Sequence, residues 1–400
     1  MNVVVVGAGP AGLMAAEVLA TAGHEVAVFD QHRSPARKFV LAGRGGLNIT
    51  HSEPTNDLLD RYGAERAQLE PAIRAFTADD LRAWSAGLGH ETFTGTSGRV
   101  FPSEFRAVPL LRSWIQRLDQ LSVDFRMQHR WLGWNDEREL LFESVKGQVA
   151  ESYDVAILGL GGASWPRVGG DGSWQTLLRE VGVEVDDLVS ANCGVQIQWS
   201  DIMVDKFAGA PLKNSAVIVD GVEVRGDPIV TKTGLEGGPI YAHSRRIRKR
   251  LAAGEKPIAV DLFPDLDFDA LEDRLSRMKP SETMTKRLAR SGMSPVAISL
   301  LREATGNDIP LDGALIAKLA KAVPLNVDSM AGIDRAISSA GGVRWSEMDE
   351  HFQLSALPNV YAVGEMLNWE APTGGYLLQA CFSTAHWTAS GIVNAAAKVD

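Results

Sequence analysis

The stretch MNVVVVGAGPAGLMAAEVLATAGHEVAVFD, from Met1 to Asp30, reads in turn as strand, glycine turn, helix, strand and acid. Asn2 to Val6 is a short valine run, the pattern of a strand buried on both faces. Gly7-Ala8-Gly9-Pro10-Ala11-Gly12 follows at once and opens an apolar helix over Ala11 to Ala22, stopped by Gly23. A second strand, Glu25 to Phe29, delivers Asp30. Each part of this βαβ unit suits a dinucleotide. Gly7 permits the tight turn, Gly9 lets backbone approach a pyrophosphate, and Gly12 lets helix and strand pack closely. Pro10 and Ala11 open the helix, whose free N–H groups and positive partial charge attract phosphate. Asp30 stands where a carboxylate accepts from a ribose hydroxyl, with Gln31 beside it. Three glycines, a proline and Glu17 argue against a membrane span here. A strand that begins at residue 2 is expected to follow no targeting peptide.

Composition narrows the function classes. The chain has 400 residues, 45% of them apolar, enough to bury the cores of two or three subdomains. A net charge of −10 and a pI near 5.4 give no general attraction to nucleic acid or to anionic membranes. Cys193 and Cys381 stand far apart in no metal or disulfide spacing, and the histidines show no paired ligand motif. A soluble protein of the reducing cytoplasm, without metal, is the expectation.

After Asp30 comes a basic stretch whose Arg33, Arg37 and Lys38 can meet phosphate or ribose, although a solvated loop is the plainer reading. Next, Ala42-Gly43-Arg44-Gly45-Gly46-Leu47-Asn48-Ile49-Thr50-His51 places glycines where backbone can come close to a flat ligand. Gly43 and Asn48 are expected to touch the cofactor there. Residues 56–130 read as mainly helical, with Thr77 as a cap and Pro109 at the start of a helix carrying Leu110, Trp114 and Leu118. Val123 to Met127 and Leu140 to Val145 suggest antiparallel strands, and the segment around Trp131 is placed against an adenine. Tyr153 to Leu158 is a buried strand ending in Gly159-Leu160-Gly161-Gly162. Those glycines do not repeat the first fingerprint, so the strand returns the chain to the first domain, with Gly161 at the cofactor. Asp171 has a weak case for phosphate or ribose contact.

From Asn192 to Asp261 the texture turns to short β-rich runs, a β-domain. It holds the loop Thr231 to Ile240, with Lys232, and a helix carrying Arg245, Arg246, Arg248, Lys249 and Arg250. That run could grip RNA or a 2′-phosphate, but no aromatic residue interleaves with it, and a solvated helix face is the plainer reading. Residues 266–323 are helical, started by Ser281 and Ser294-Pro295, stopped by Gly292 and Gly306, with Asp312 as the last cap. Strands follow at Pro324 to Asp328 and Ala336 to Val343. Near the end, Asn359 to Val363 is a buried strand followed by Gly364-Glu365, then Pro372-Thr373-Gly374-Gly375-Tyr376 and a long apolar helix. Glu365 can reach a ribityl hydroxyl, and the helix start at Gly374, Gly375, Tyr376 and Leu377 can stabilise negative charge on a flavin ring. A chain whose last fifty residues return to the cofactor marks an FAD protein rather than a simple NAD dehydrogenase.

These motifs together resemble the BaiN/YhiN-like (RdsA/aminoacetone-oxidase-like) family of bacterial NAD(P)/FAD-dependent flavoproteins. The resemblance runs over GAGPAG at the start, GRVFP at 98–102, GLGGASWP at 159–166, TGLEGGP at 233–239 and GEMLNWEAPTGGY at 364–376. The last motif points to a subgroup. The resemblance implies an α/β chain in three parts. These are a Rossmann-type FAD-binding domain over 1–191 and 344–400, an inserted β-barrel-like domain over 192–265 and 324–343, and a small helical domain over 266–323. Better-known relatives carry Arg-Cys-Asn where this chain has Gly46-Leu47-Asn48, so a mechanism that needs a thiol beside the flavin is not expected. Hydride transfer through flavin N5 to or from a small molecule is the expected chemistry, with NAD(P)H as a further expected reductant. Lys232 is the candidate proton donor, Tyr376 the other catalytic candidate, and Arg44 and Asn48 candidate polar contacts. A flavin-dependent RNA-modifying or RNA-binding role through residues 245–250 is the alternative.

Overall fold

The computed structural model describes residues 1–277 and 282–397. The valine run forms β1 (Asn2–Val6), with Val3, Val4 and Val5 wholly buried. Burying each such side chain contributes about 1.5–3 kcal/mol, so a strand this short is held by its surroundings rather than by propensity. Around it stand α1 (Pro10–Thr21), β2 (Glu25–Asp30), α2 (Arg37–Ala42), α3 (Ala107–Gln120), β3 (Asp124–Met127), β4 (Val155–Leu158), β5 (Val360–Ala362) and α4 (Tyr376–Ala396). The five strands form one sheet in the order β5-β4-β1-β2-β3, parallel at every pairing. Parallel neighbours need crossovers, and helices on the faces explain why the central strands are apolar on both sides. α1 packs against α4, and both helices bury small residues, among them Ala11, Ala15, Ala385 and Ala389.

One strand pairing differs from the sequence expectation. Asp124–Met127 is not antiparallel to the 140s; it is the edge strand β3, parallel to β2. The left-handed backbone at Gln128 (φ 61°) ends it. A separate antiparallel meander then begins, His129–Trp134 with Leu140–Ser144 and Gly147–Glu151. Thr77 closes a capping box with Asp80, and Pro109 lies in the first turn of α3, where a missing N–H costs no intrahelical bond.

The described chain divides into two compact units, Met1–Val189 with Ser338–Asp400, and Ser190–Ile337. The strand Ser338–Val343 thus belongs to the first unit, whereas the sequence reading put it in the β-domain. The second unit holds two four-stranded antiparallel sheets and the helices of residues 268–321. Those helices are not a separate body: Leu271, Leu288, Leu300 and Ile316 share one core with Val217, Val260 and Leu325 of the strands. Ser281 lies outside the described residues; Thr283 caps the helix Met284–Arg290, and Asp312 caps Gly313–Lys321. Among the described residues no helix is long and apolar enough to cross a membrane.

Candidate functional site: a dinucleotide cleft

The carboxyl ends of β1, β2 and β4 open into a cleft of the first unit with an empty volume of about 1060 Å³, its open mouth included. Ligands of open α/β sheets bind in such a crevice. Its floor is built from glycines, two of which leave no room for a side chain. Gly7 holds φ at 106°, and a Cβ there would strike the Gly159 carbonyl; a Cβ on Gly12 would strike the Gly7 carbonyl. Gly9 has open space in front of it, and no side chain caps α1 at that residue. The first N–H groups of α1 therefore face the cleft without an internal partner, as an anion site requires.

Asp30 ends β2 and is oriented by backbone. Its Oδ2 accepts from the Ala8 N–H at 2.9 Å and its Oδ1 from the His32 N–H at 2.8 Å. A carboxylate has about four acceptor positions, so two remain for hydroxyl donors. On the opposite side Glu365, only 8% exposed, accepts from Lys38 Nζ at 2.9 and 3.3 Å and from the Ser339 N–H at 3.1 Å. Lys38 also donates to Ser164 Oγ at 2.5 Å. Near the cleft mouth Arg130 reaches Asp171 at 3.2 Å. Burial alone would raise the Asp171 carboxyl, but hydrogen bonds from Ser173 and the charge of Arg130 hold it below the usual range. The Cys381 thiol also lines the cleft; burial, then the charge of Glu365, pushes its pKa up and keeps it protonated.

The family whose profile matches residues 1–391 is described as the HI0933-like protein Rossmann domain. The chain belongs to the HI0933-like Rossmann-domain family. A ribosomal RNA dihydrouridine synthase of Escherichia coli (strain K12) is 21% identical over 410 residues, 98% of each chain. Among solved structures, 3-ketosteroid delta1-dehydrogenase from Sterolibacterium denitrificans superposes with a TM-score of 0.55 at 12% identity. That match covers 98% of this chain and 99% of the other. A flavocytochrome c3 fumarate reductase gives 0.54 at 14% identity, over 98% of this chain and 78% of that one. At these identities the two superpositions show a shared fold, in keeping with the Rossmann domain of the family.

For a member of this family the cleft residues fit FAD on independent grounds. Trp131 lines the cleft, and its indole N–H is buried with no partner among the described residues. An orphaned donor of this kind asks for an acceptor. Gly7, Gly9, Pro10, Ala11, Asp30, Gln31, Arg37, Lys38, Trp131, Gly161 and Glu365 all line the cleft.

Other expected residues lie apart from its lining. Gly12 acts beneath the floor, through packing. Gly364 packs against Ala11, and Gly43 packs against Ala107, where a Cβ on either would collide. The Asn48 amide donates to the Thr50 and Val100 carbonyls at 2.7 and 3.1 Å, so both of its N–H groups serve the loop itself. Gly374 and Gly375 take φ of 142° and 96° where α4 begins; a Cβ on Gly375 would meet Thr50 backbone. Leu377 is a partly buried side chain against the core. Tyr376 is 5% exposed, stacks on His51 at 5.3 Å, and its carbonyl accepts from Tyr62 at 2.9 Å. Burial and a hydrogen bond with Glu53 push its phenol pKa up. Lys232 is exposed on a hairpin of the second unit.

Sequence reading missed Leu160, Gly162, Gly169, Gly170, Trp174 and Cys381 in the cleft wall. Trp174 donates to the Gly161 carbonyl at 3.0 Å and so braces the second glycine turn. The run Gly159 to Gly162, followed by Gly169-Gly170, carried a signal, but only as a dense glycine pattern without a helix behind it.

Proposed function

We propose that this chain binds FAD in the first-unit cleft and catalyses hydride transfer between the flavin and a small organic substrate. One observation carries the reading: Asp30 and Glu365, from opposite ends of the chain, line a single glycine-floored cleft. When bound, the cofactor supplies the hydride chemistry, and the protein supplies binding, orientation and electrostatics. In this proposal Asp30 takes the adenosine ribose, the start of α1 the pyrophosphate, and the Trp131 N–H an acceptor of the adenosine half. Glu365, its charge balanced by Lys38 at 2.9 Å, takes the ribityl chain. Gly43, Asn48, Gly364, Gly374, Gly375 and Leu377 shape the backbone beyond it. Tyr376, kept a neutral phenol, positions that region through His51 and Glu53. NADH or NADPH stands as the reductant, and the cytoplasm as the compartment. In this proposal the GEMLNWEAPTGGY motif is the mark of a subgroup within the family.

The test begins with the cofactor released by denaturing the purified protein, identified by mass, followed by anaerobic titration with NADH and NADPH. FAD at close to one per chain, bleached by one of the two nucleotides, is the expected result. Absence of FAD, together with no saturable quenching when FAD is added back, overturns the proposal.

A second reading has its own observation, the full-length similarity to a ribosomal RNA dihydrouridine synthase. The substrate would then be a uridine in RNA. Within the basic helix, Arg250 is already paired with Asp220 and Glu255, and Arg248 donates to the Ser190 carbonyl. Exposed Arg246 and Lys249 are left to meet phosphate. RNA affinity unchanged in slope against salt after Arg246→Glu and Lys249→Glu would remove that contact.

A further inference from the structure

We propose that the groove between α2 and α3 is a binding site for an organic anion with an apolar body, a carboxylate or a phosphate monoester. The two helices touch at Gly43 and Ala107, where a Cβ on Gly43 would lie 2.6 Å from that of Ala107. Away from that contact they part, and a groove opens between Val40 and Leu41 on α2 and Leu111 and Ile115 on α3. Leu111 and Ile115 are four apart and share one helix face. They flank the positions that carry Leu110, Trp114 and Leu118 into the core, pack partly against that core, and stay partly exposed to the groove.

The rim carries charge of one sign. Arg37, Arg44 and Arg112 line the groove, and no acidic side chain does, in a chain whose net charge is −10. Arg44 and Arg112 make no hydrogen bond or ion pair among the described residues, and Arg37 donates to His32 Nδ1 at 3.1 Å. Guanidinium groups present planar forks that match carboxylate and phosphate oxygens. The apolar floor gives an inorganic ion nothing to bury, whereas an alkyl or aryl body would cover it. An organic anion answers both features at once, in the usual style of a small-molecule site. Arg37 and Val168 also line the dinucleotide cleft, so the groove continues from its rim. The inference does not rest on the flavin reading.

Calorimetric titration of the full-length protein as purified, with octanoate, octyl phosphate, octylamine and inorganic phosphate, tests the site. Saturable binding of either octyl anion supports it, and the tighter of the two identifies the headgroup. Octylamine and inorganic phosphate should bind at least about tenfold more weakly, because each satisfies only one feature. Arg44→Ala with Arg112→Ala should weaken the octyl anion by about tenfold or more, and Leu111→Asp should do so from the apolar side. Melting temperature and flavin content report whether these variants fold. If the double variant does not fold, Arg112→Gln alone, at an exposed position, should still weaken binding by about threefold. No saturable binding of either octyl anion, equal binding of octylamine, or variant affinities within twofold of the parent each overturn the proposal.

Discussion

Replacing Asp30 by alanine tests the cleft at its best-defined point. The carboxylate holds two backbone donors, Ala8 N–H at 2.9 Å and His32 N–H at 2.8 Å, and has acceptor capacity left for a ribose. Two consequences separate. For the empty protein, two part-buried N–H groups lose a charged acceptor; water can reach this rim, so about 1 kcal/mol each is the expected loss, near 2 kcal/mol in all. For the cofactor, one charge-assisted hydrogen bond worth about 1.5–3 kcal/mol disappears, which weakens FAD by roughly ten- to a hundredfold. Apoprotein titrated with FAD, followed by quenching of flavin fluorescence, measures the second effect, and urea unfolding of the apoprotein measures the first. Titration with FMN supplies the internal control, because FMN lacks the adenosine ribose. If Asp30→Ala binds FAD within about threefold of the parent, or weakens FMN as much as FAD, then Asp30 does not hold the adenosine half.

Three further outcomes follow from other contacts. Glu17, 8% exposed, accepts from Trp84 and Trp114 indoles at 3.0 and 2.6 Å and from Arg117 at 2.8 Å; Glu17→Ala should cost about 3 kcal/mol in urea unfolding. A loss below about 1 kcal/mol would show that the indoles find other acceptors. Lys38→Met strands the carboxylate of Glu365 and should destabilise the apoprotein by about 2–3 kcal/mol. Adding Glu365→Gln should recover part of that loss, and a double variant no better than the single one would deny the coupling. His243 is wholly buried, and burial lowers its pKa, opposed by its bond to the Val217 carbonyl and reinforced by Arg246. The unfolded chain therefore binds the proton more readily. His243 contributes stability that is present above pH about 6.5 and lost as pH falls through the lower folded value. Melting between pH 7 and 5 should drop less steeply in His243→Gln; parallel curves would exclude this histidine.

What the sequence alone determined is the part whose chemistry is local. The first βαβ unit was legible because turn, helix start and acid are each dictated by neighbours a few residues away, and the structure has Gly7 at φ 106° and Asp30 at the end of β2. The caps at Thr77 and Asp312 were legible for the same reason. The tertiary structure decided what depends on distant partners. Strand 124–127 looks like half of a hairpin in sequence, yet it pairs in parallel with β2, because an edge of the sheet is open to it. Asn48 reads as a ligand contact, but its two donors are consumed by Thr50 and Val100, and Val100 lies half a hundred residues on. Trp131 carries an orphaned N–H that no pattern announces, and Glu365 meets Lys38 across more than three hundred residues. Hydrogen-bond satisfaction is a property of the folded neighbourhood, so it could not be read from the chain. Met1 to Asp30 determines that a dinucleotide fold is present; the second glycine turn, Glu365 and the groove beside α2 take their meaning only from the packing around them.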